Sequence, residues 1–514
     1  ILKTLIIQFL SDKARMKEKI LLWLDVFSAQ FGMAKWLQKK YDCEICAIID
    51  VNKGKKFYEE QKIVDFKKKW YFRECFNRSQ KEPDLKYLAE IEKKYKFDVW
   101  KIVYSDINFY KYNEYHKFKY DEILIIIEQE CKFYEKILDN VKPDFLVIRI
   151  TDSSNGQILQ KICIAKGIKV LMLGFTRFGN RAYISHEYDY LEMSNKHYEK
   201  EEKSFDQLRE HVEYITSLQS SFRKEFRNSR KKWIKGALKY LSLVSSNKYR
   251  KYYANTEKNI FKVIYVEGMI PLKSRYRKKF IDSNLSKQLE HNQKFIYFPL
   301  QLEPERSTLI PATFYTNQLN VITNIAKSLP IDFQLFVKEH PMQKVKGWRT
   351  ISFYKSILEL ANVKLIHPSI SNDEMLKKCA MAITIAGTTG LEAALYKKPA
   401  IIFTDAIYAS LPSVHRLTSL EELPNAIRES LEKEVKLSDV NEFINLLDAN
   451  SFPFNNTELS IKINNEFFYD GYLFDTEINH KNAEEFLRKN YEDFKILETE
   501  YIKKIEEIKK QENK

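Results

Sequence analysis

Lys338 and His340 flank Glu339 in the run Val337-Lys-Glu-His-Pro341. In an extended chain alternate side chains share a face, and Pro341 biases His340 toward extended geometry. A cation beside a proton-bearing ring suits a phosphate, with lysine as a point charge and histidine as charge stabiliser or general acid. A lone His-Pro turn is more often structural. Lys338 in front of it, and a glycine-rich turn further along the chain, favour the phosphate reading.

That turn is Gly387-Thr-Thr-Gly390. Backbone N–H groups at a helix start attract anions, glycine permits close approach, and Thr388 and Thr389 add hydroxyl donors. Glu392 would repel a phosphate but can accept hydrogen bonds from a ribose. The competing reading is a plain Gly-Thr turn with an acid favoured by the helix dipole. Gln301, Glu303 and Arg306 follow the apolar run Phe295–Leu300, where Arg306 either holds a phosphate or sugar carboxylate or makes a surface ion pair. His367-Pro shapes a turn, and Ser371-Asn-Asp-Glu374 matches a capping box. In the first half, Asp25 and Asp152 each follow an apolar run. Either could act as a base or nucleophile in group transfer, or cap the next helix.

The elements that must carry these residues alternate. From 294 onward the pattern predicts strands at 295–300, 333–337, 363–366, 381–385 and 400–403, with helices between them, which specifies an open parallel sheet. Ligands of such sheets bind at the carboxyl ends of the strands, where these residues stand. The first half predicts β-α-β over 20–51, helical spacing over 55–140 and a second β-α-β over 145–173. The expected organisation is α/β: a Rossmann-like unit over 1–190, a helical basic insertion over 191–290, a second Rossmann-like unit over 291–415 and a helical region over 416–514.

A chain of 514 residues exceeds one ordinary core, and 44% apolar content is that of a folded protein. The net charge of +15 favours anionic partners. Between Arg223 and Lys251 eleven Lys or Arg meet a single acid, Glu225. This segment is either a helix lying on an anionic membrane surface or an insertion with a solvated basic face. Six scattered cysteines fit a reducing cytoplasm rather than a disulfide framework, and Cys43-x-x-Cys46 reads as part of a buried strand. No apolar stretch is long enough to cross a bilayer, so a cytoplasmic protein is expected, peripheral on the inner face of the membrane if the basic segment docks there. The chain opens on Ile1 rather than Met, which leaves a lost start or leader open.

Three segments, 298–305 (Phe-Pro-Leu-Gln-Leu-Glu-Pro-Glu), 337–341 (Val-Lys-Glu-His-Pro) and 386–399 (Ala-Gly-Thr-Thr-Gly-Leu-Glu-Ala-Ala-Leu-Tyr-Lys-Lys-Pro), resemble in order the capsule polysaccharide biosynthesis family, which includes capsular Kdo transferases. The resemblance implies a GT-B fold, two Rossmann-type domains facing a cleft, with no metal and no cofactor beyond a nucleotide-sugar co-substrate. It implies donor contacts from Lys338, His340, Thr388 and Thr389 to phosphate and from Glu392 to ribose. The donor is a nucleotide sugar, a CMP-sugar in several related enzymes, and the acceptor a capsule or lipopolysaccharide glycan or glycolipid. Alternatives are a nucleotide-sugar 2-epimerase, a polyol-phosphate transferase, whose usual second histidine is absent, and a basic nucleic-acid binder, for which no recognised motif is present. No nucleic-acid partner is expected.

Overall fold

The computed structural model describes residues 17–176, 180–192, 201–210, 230–246, 250–290 and 293–512. Two sheets organise the chain. The first is built from β1 (Glu18–Leu24), β2 (Cys43–Ile49), β3 (Phe66–Tyr71), β4 (Phe145–Ile148), β5 (Lys169–Phe175) and β6 (Arg181–Ser185). Its parallel core runs β5-β4-β1-β2-β3, β6 is antiparallel on β5, and a two-residue strand, Phe452–Pro453, adds antiparallel to β6. The second sheet holds β7 (Phe295–Pro299), β8 (Gln334–Lys338), β9 (Val363–Ile366), β10 (Met381–Thr384), β11 (Ala400–Ile402) and β12 (Val414–Arg416). It is parallel throughout, in the order β12-β11-β10-β7-β8-β9. Counted from its own first strand this is 6-5-4-1-2-3, the doubly wound order. Two Rossmann-type units are thus the GT-B-like α/β architecture that the resemblance implied.

Both sheets are covered on both faces, which is why their strands read as unbroken apolar runs rather than alternating ones. In β1, Ile20, Leu22 and Leu24 enter one core while Leu21 and Trp23 enter the other. The second of these cores lies under the helices of 85–165. The first is completed from far along the chain by Phe454, Phe467, Phe486, Phe494 and Ile505. Helix Tyr491–Glu512 crosses helix Ala29–Lys40 so closely that a Cβ on Gly32 would lie 2.2 Å from the Phe494 ring. Part of the helical region expected at 416–514 therefore belongs structurally to the first sheet.

The expected strands of the second sheet are present, with β12 in addition. Residues 55–140 are not all helical, because β3 lies within them. Its sequence, Phe-Lys-Lys-Lys-Trp-Tyr, places three lysines in a row on an edge strand, which breaks the apolar signal but suits an edge. Cys46 lies buried within β2, and burial raises the Cys43 thiol to about 11; all six cysteines are free thiols. Of the basic segment, 223–229 and 247–249 lie outside the described residues. No helix among the described residues is long and apolar enough to cross a membrane.

Candidate functional site at the facing sheet edges

Each sheet has a topological switch point, where strand order reverses and ligands of open sheets bind. In the second sheet it lies between β7 and β10. The loops leaving these strands are tied together there: Gln301 Nε2 donates to Thr384 Oγ1 (3.0 Å), which also accepts from the Gly387 backbone N–H (3.2 Å). The glycines are steric requirements. A Cβ on Gly387 would come within 2.8 Å of Thr384 Oγ1, and one on Gly390 within 2.7 Å of the Tyr408 ring, whose hydroxyl donates to the Gly387 carbonyl. Gly390 accordingly lies behind the loop and is not part of the cleft wall.

A cleft of about 940 Å³ opens here, walled by Gln301, Arg306, Lys338, His340, Gly387, Thr388, Thr389 and Glu392 from the second unit, and by Ile150, Phe175 and Tyr188 from the first. Its volume is of the size that holds a nucleotide and a sugar residue. Lys338 is the decisive wall residue. It ends β8 with only 6% of its surface exposed, and its ammonium makes no hydrogen bond or ion pair among the described residues. Burial pushes its pKa down to about 8, against the pull of Glu392 and Glu339. The other cationic walls are engaged. Arg181 donates to the Asp448 and Ser451 carbonyls, and Arg209 donates to the Leu395 carbonyl and pairs with Asp206. Arg306 reaches across to the first unit, where it donates to the Thr151 carbonyl (2.6 Å) and stacks on Tyr188.

His340 faces the cleft as the N-cap of the turn Pro341–Lys346, and its Nδ1 accepts from the Met342 backbone N–H (3.2 Å). That bond leaves the ring proton on Nε2. Between the two, Glu339 is turned into the protein, as alternation requires. It is fully buried, accepts from Tyr354 (2.6 Å) and Arg349 (3.1 Å), and burial holds its carboxyl above the usual range. Glu392 accepts from Thr388 (2.6 Å) and Asn372, and burial raises its pKa as well, against those donors and Lys338. The helix that follows the glycine turn, Thr389–Leu395, has seven residues. Its dipole is correspondingly modest beside the full charge of Lys338.

Several expected residues lie elsewhere. Glu303 is absent from the cleft wall. Its carboxylate is taken by Lys111 (2.7 Å), Tyr112 and Arg349, which hold it below the ordinary range although burial opposes them. Asp25 and Asp152 stand at the switch point of the first sheet, between β1 and β4, but outside the wall. Neither caps a helix, since the N-caps are Ser28 and Ser153. Arg149 bridges them instead, at 2.9 Å and 3.1 Å, and burial raises the Asp25 pKa against that arginine. His367 bonds Ser369 and Asp282, away from the cleft, and Ser371 caps its helix by accepting from Glu374 N (3.0 Å).

Two contributions had no sequence signal. Phe454, Asn455, Asn456 and Thr457 reach the cleft wall from beyond the second unit. Arg349, buried and outside any strand-end motif, joins Glu339, Glu303 and the Gln301 carbonyl. Among the described residues no group of three or more His, Cys, Asp or Glu is placed to hold a metal ion.

A pH dependence follows from Lys338. An anion bound beside the ammonium raises its pKa, so binding takes up a proton wherever free Lys338 is neutral. Affinity for a nucleoside phosphate is expected to be flat below about pH 8 and to fall toward tenfold per pH unit above it. Lys338→Met should bind more weakly and lose this dependence; titrations between pH 7 and 9 by calorimetry check both. An unchanged slope in the variant would place the titrating group elsewhere.

No curated protein matches the chain. Among solved structures it is similar to UDP-GlcNAc 2-epimerase from Methanocaldococcus jannaschii, with 14% identity over 84% of this chain and 99% of the other and a TM-score of 0.23. It is also similar to KpsC, a beta Kdo 2,7 transferase from Thermosulfurimonas dismutans (12% identity, 62% and 85% coverage, TM-score 0.32). A third is MnaA of S. aureus in a co-structure with UDP (11%, 90% and 100%, TM-score 0.25). At such identities no residue role transfers from these structures. The family match is local and direct: residues 202–439, which contain the whole second sheet with its strand-end loops, match the model of the capsule polysaccharide biosynthesis protein family.

Proposed function

We propose that the protein is a glycosyltransferase that holds a nucleotide-sugar donor against the carboxyl edge of the second sheet and passes the sugar to a capsule or lipopolysaccharide glycan approaching from the first. The observation that carries this reading is Lys338. A nearly buried ammonium without a hydrogen-bond partner is costly, and in a cleft of this volume its natural counter-charge is a ligand phosphate. Because the other wall arginines are engaged within the protein, one phosphate held by Lys338 is favoured over two, which fits a nucleoside-monophosphate sugar such as a CMP-sugar. Thr388 and Thr389 would add donors, Glu392 would accept from the ribose, and the Nε2 proton of His340 would meet charge developing on the leaving phosphate. The reading calls for no cofactor besides the nucleotide sugar. Asp25, raised in pKa and oriented by Arg149, is the acceptor-side group proposed to take the hydroxyl proton, with Asp152 its neighbour in the same cluster. The acceptor glycan would be met at the inner face of the cytoplasmic membrane.

Thermal-shift measurements with CMP, CDP, UDP, GDP and their sugars test the donor. One nucleotide should raise the melting temperature, and its sugar should then be consumed only when a glycan acceptor is added, in a turnover that Asp25→Asn slows. Conversion of the sugar to a free epimer without acceptor would replace this reading with a 2-epimerase. No shift with any nucleotide, together with DNA binding at physiological salt, would replace it with a nucleic-acid protein.

A further inference from the structure

Helix Ile260–Asn284 presents its apolar side to solvent. Phe261, Ile264, Tyr265, Leu272 and Tyr276 are all exposed, Phe261 by 85% and Tyr276 by 71%. At 100° per residue they fall within about 120° of arc, a single stripe on a helix roughly 37 Å long. The opposite face holds the helix to the protein. Val263 and Ile281 are buried there, and Arg277 donates to the Gly347 and Trp348 carbonyls (3.0 and 2.9 Å). Soluble helices bury such a stripe, so its exposure asks for an occupant.

The charges around the stripe identify that occupant's chemistry. Arg275 and Lys279 fall within the same arc, and Lys273 and Lys278 flank it, all four exposed. Helix Arg230–Val244 packs beside it through a small cluster of Leu243, Val244, Val263 and Leu473. It adds exposed Ile234 and Leu238 among Lys231, Lys235 and Lys239, with no acid in its length. Aromatic and aliphatic side chains interleaved with cations fit an interface of apolar chains beneath anionic headgroups. A second copy of this surface would bring like charges together.

We propose that these two helices form the face by which the protein lies on an anionic lipid bilayer, with the stripe of 261–276 entering the headgroup region and the lysines and arginines on the headgroups. The proposal is independent of the donor reading, since lipid binding is measured without turnover.

The test is co-sedimentation of the full chain with vesicles of phosphatidylcholine alone and of phosphatidylcholine with phosphatidylglycerol. Binding is expected only with the anionic vesicles and should weaken with salt. Replacing Lys273, Arg275 and Lys279 with glutamine should lower the vesicle partition coefficient by roughly 100-fold. Phe261→Ser with Leu272→Ser should lower it at least about tenfold, although both positions are exposed and the fold is unaffected. Thermal shift with the nucleotide should stay unchanged in both variants. Wild-type protein that ignores anionic vesicles, or serine variants that bind like wild type, would overturn the proposal. A dimer dissolved by the serine substitutions would assign the stripe to a second copy instead.

Discussion

With alanine in place of His340, turnover is expected to fall by about 10²–10⁴-fold, the range lost with a positioned general acid. The ring is fixed for that task. Its Nδ1 accepts from the Met342 backbone N–H, which leaves Nε2 as the nitrogen that carries a proton toward a ligand. The same bond makes His340 the N-cap of the turn Pro341–Lys346, so alanine also removes a cap, a loss of about 1 kcal/mol. His340→Asn separates the two roles. Asparagine is a strong N-cap and can accept from Met342, but it cannot transfer a proton. Both variants should lose turnover with nucleotide affinity nearly intact, whereas only the alanine variant should melt lower. An asparagine variant with wild-type kcat would reduce His340 to a turn-former.

Arg349→Met should cost about 3–5 kcal/mol of stability, as breaking a buried ion pair from one side does. Its guanidinium meets Glu339, which has no solvent exposure, together with Glu303 and the Gln301 carbonyl. Methionine fills the volume and leaves the buried Glu339 carboxylate without its cation, while Glu303 keeps Lys111. The sign with pH is fixed by Glu339, whose folded pKa already stands above its usual value because of burial. A raised carboxyl pKa gives stability that is present in acid and lost as pH rises through it. The deficit of the variant should therefore shrink toward pH 5 and widen toward pH 8, as read from melting temperatures. Adding Glu339→Gln should recover part of the loss, because the amide still accepts from Tyr354. Equal deficits at both pH values would remove Glu339 from the account.

What could be read from the sequence was set by how far apart the interacting residues lie in the chain. In the second sheet each strand, its loop and its helix are contiguous. The parallel order therefore projects directly onto the sequence, and the periodicity of the chain alone suffices to put Lys338, His340 and the Gly387 turn on one edge. The three-residue β12 is too short to carry a period. In the first sheet the lysine run of β3 hid an edge strand. Glu303 and Arg306 stand in a strand-end loop, as their positions required, yet their partners Tyr112 and Thr151 come from the other unit, and nothing local signals that. Arg349 was silent for a different reason: its partners Glu339, Glu303 and Gln301 belong to its own unit, but it stands outside any strand-end motif. Asp25 and Asp152 lay at the right strand ends, but only the folded sheet brings Arg149 between them.

The tight crossing of Gly32 and Phe494 bears on how the protein is made. A chain leaves the ribosome N-terminus first, at about 5–20 residues per second. The strands of the first sheet therefore emerge with one apolar face covered only in part, by Phe31, Met33, Leu37 and Phe57, and it stays incomplete until helix Tyr491–Glu512 has been synthesised, on the order of tens of seconds later. The second sheet and the helices on it occupy one continuous stretch, so the later-made unit can close before the earlier one. During that interval the unfilled part of the face of β1, β2 and β4 is a surface for chaperones to hold, and a ribosome stalled before Phe494 would leave it open for good.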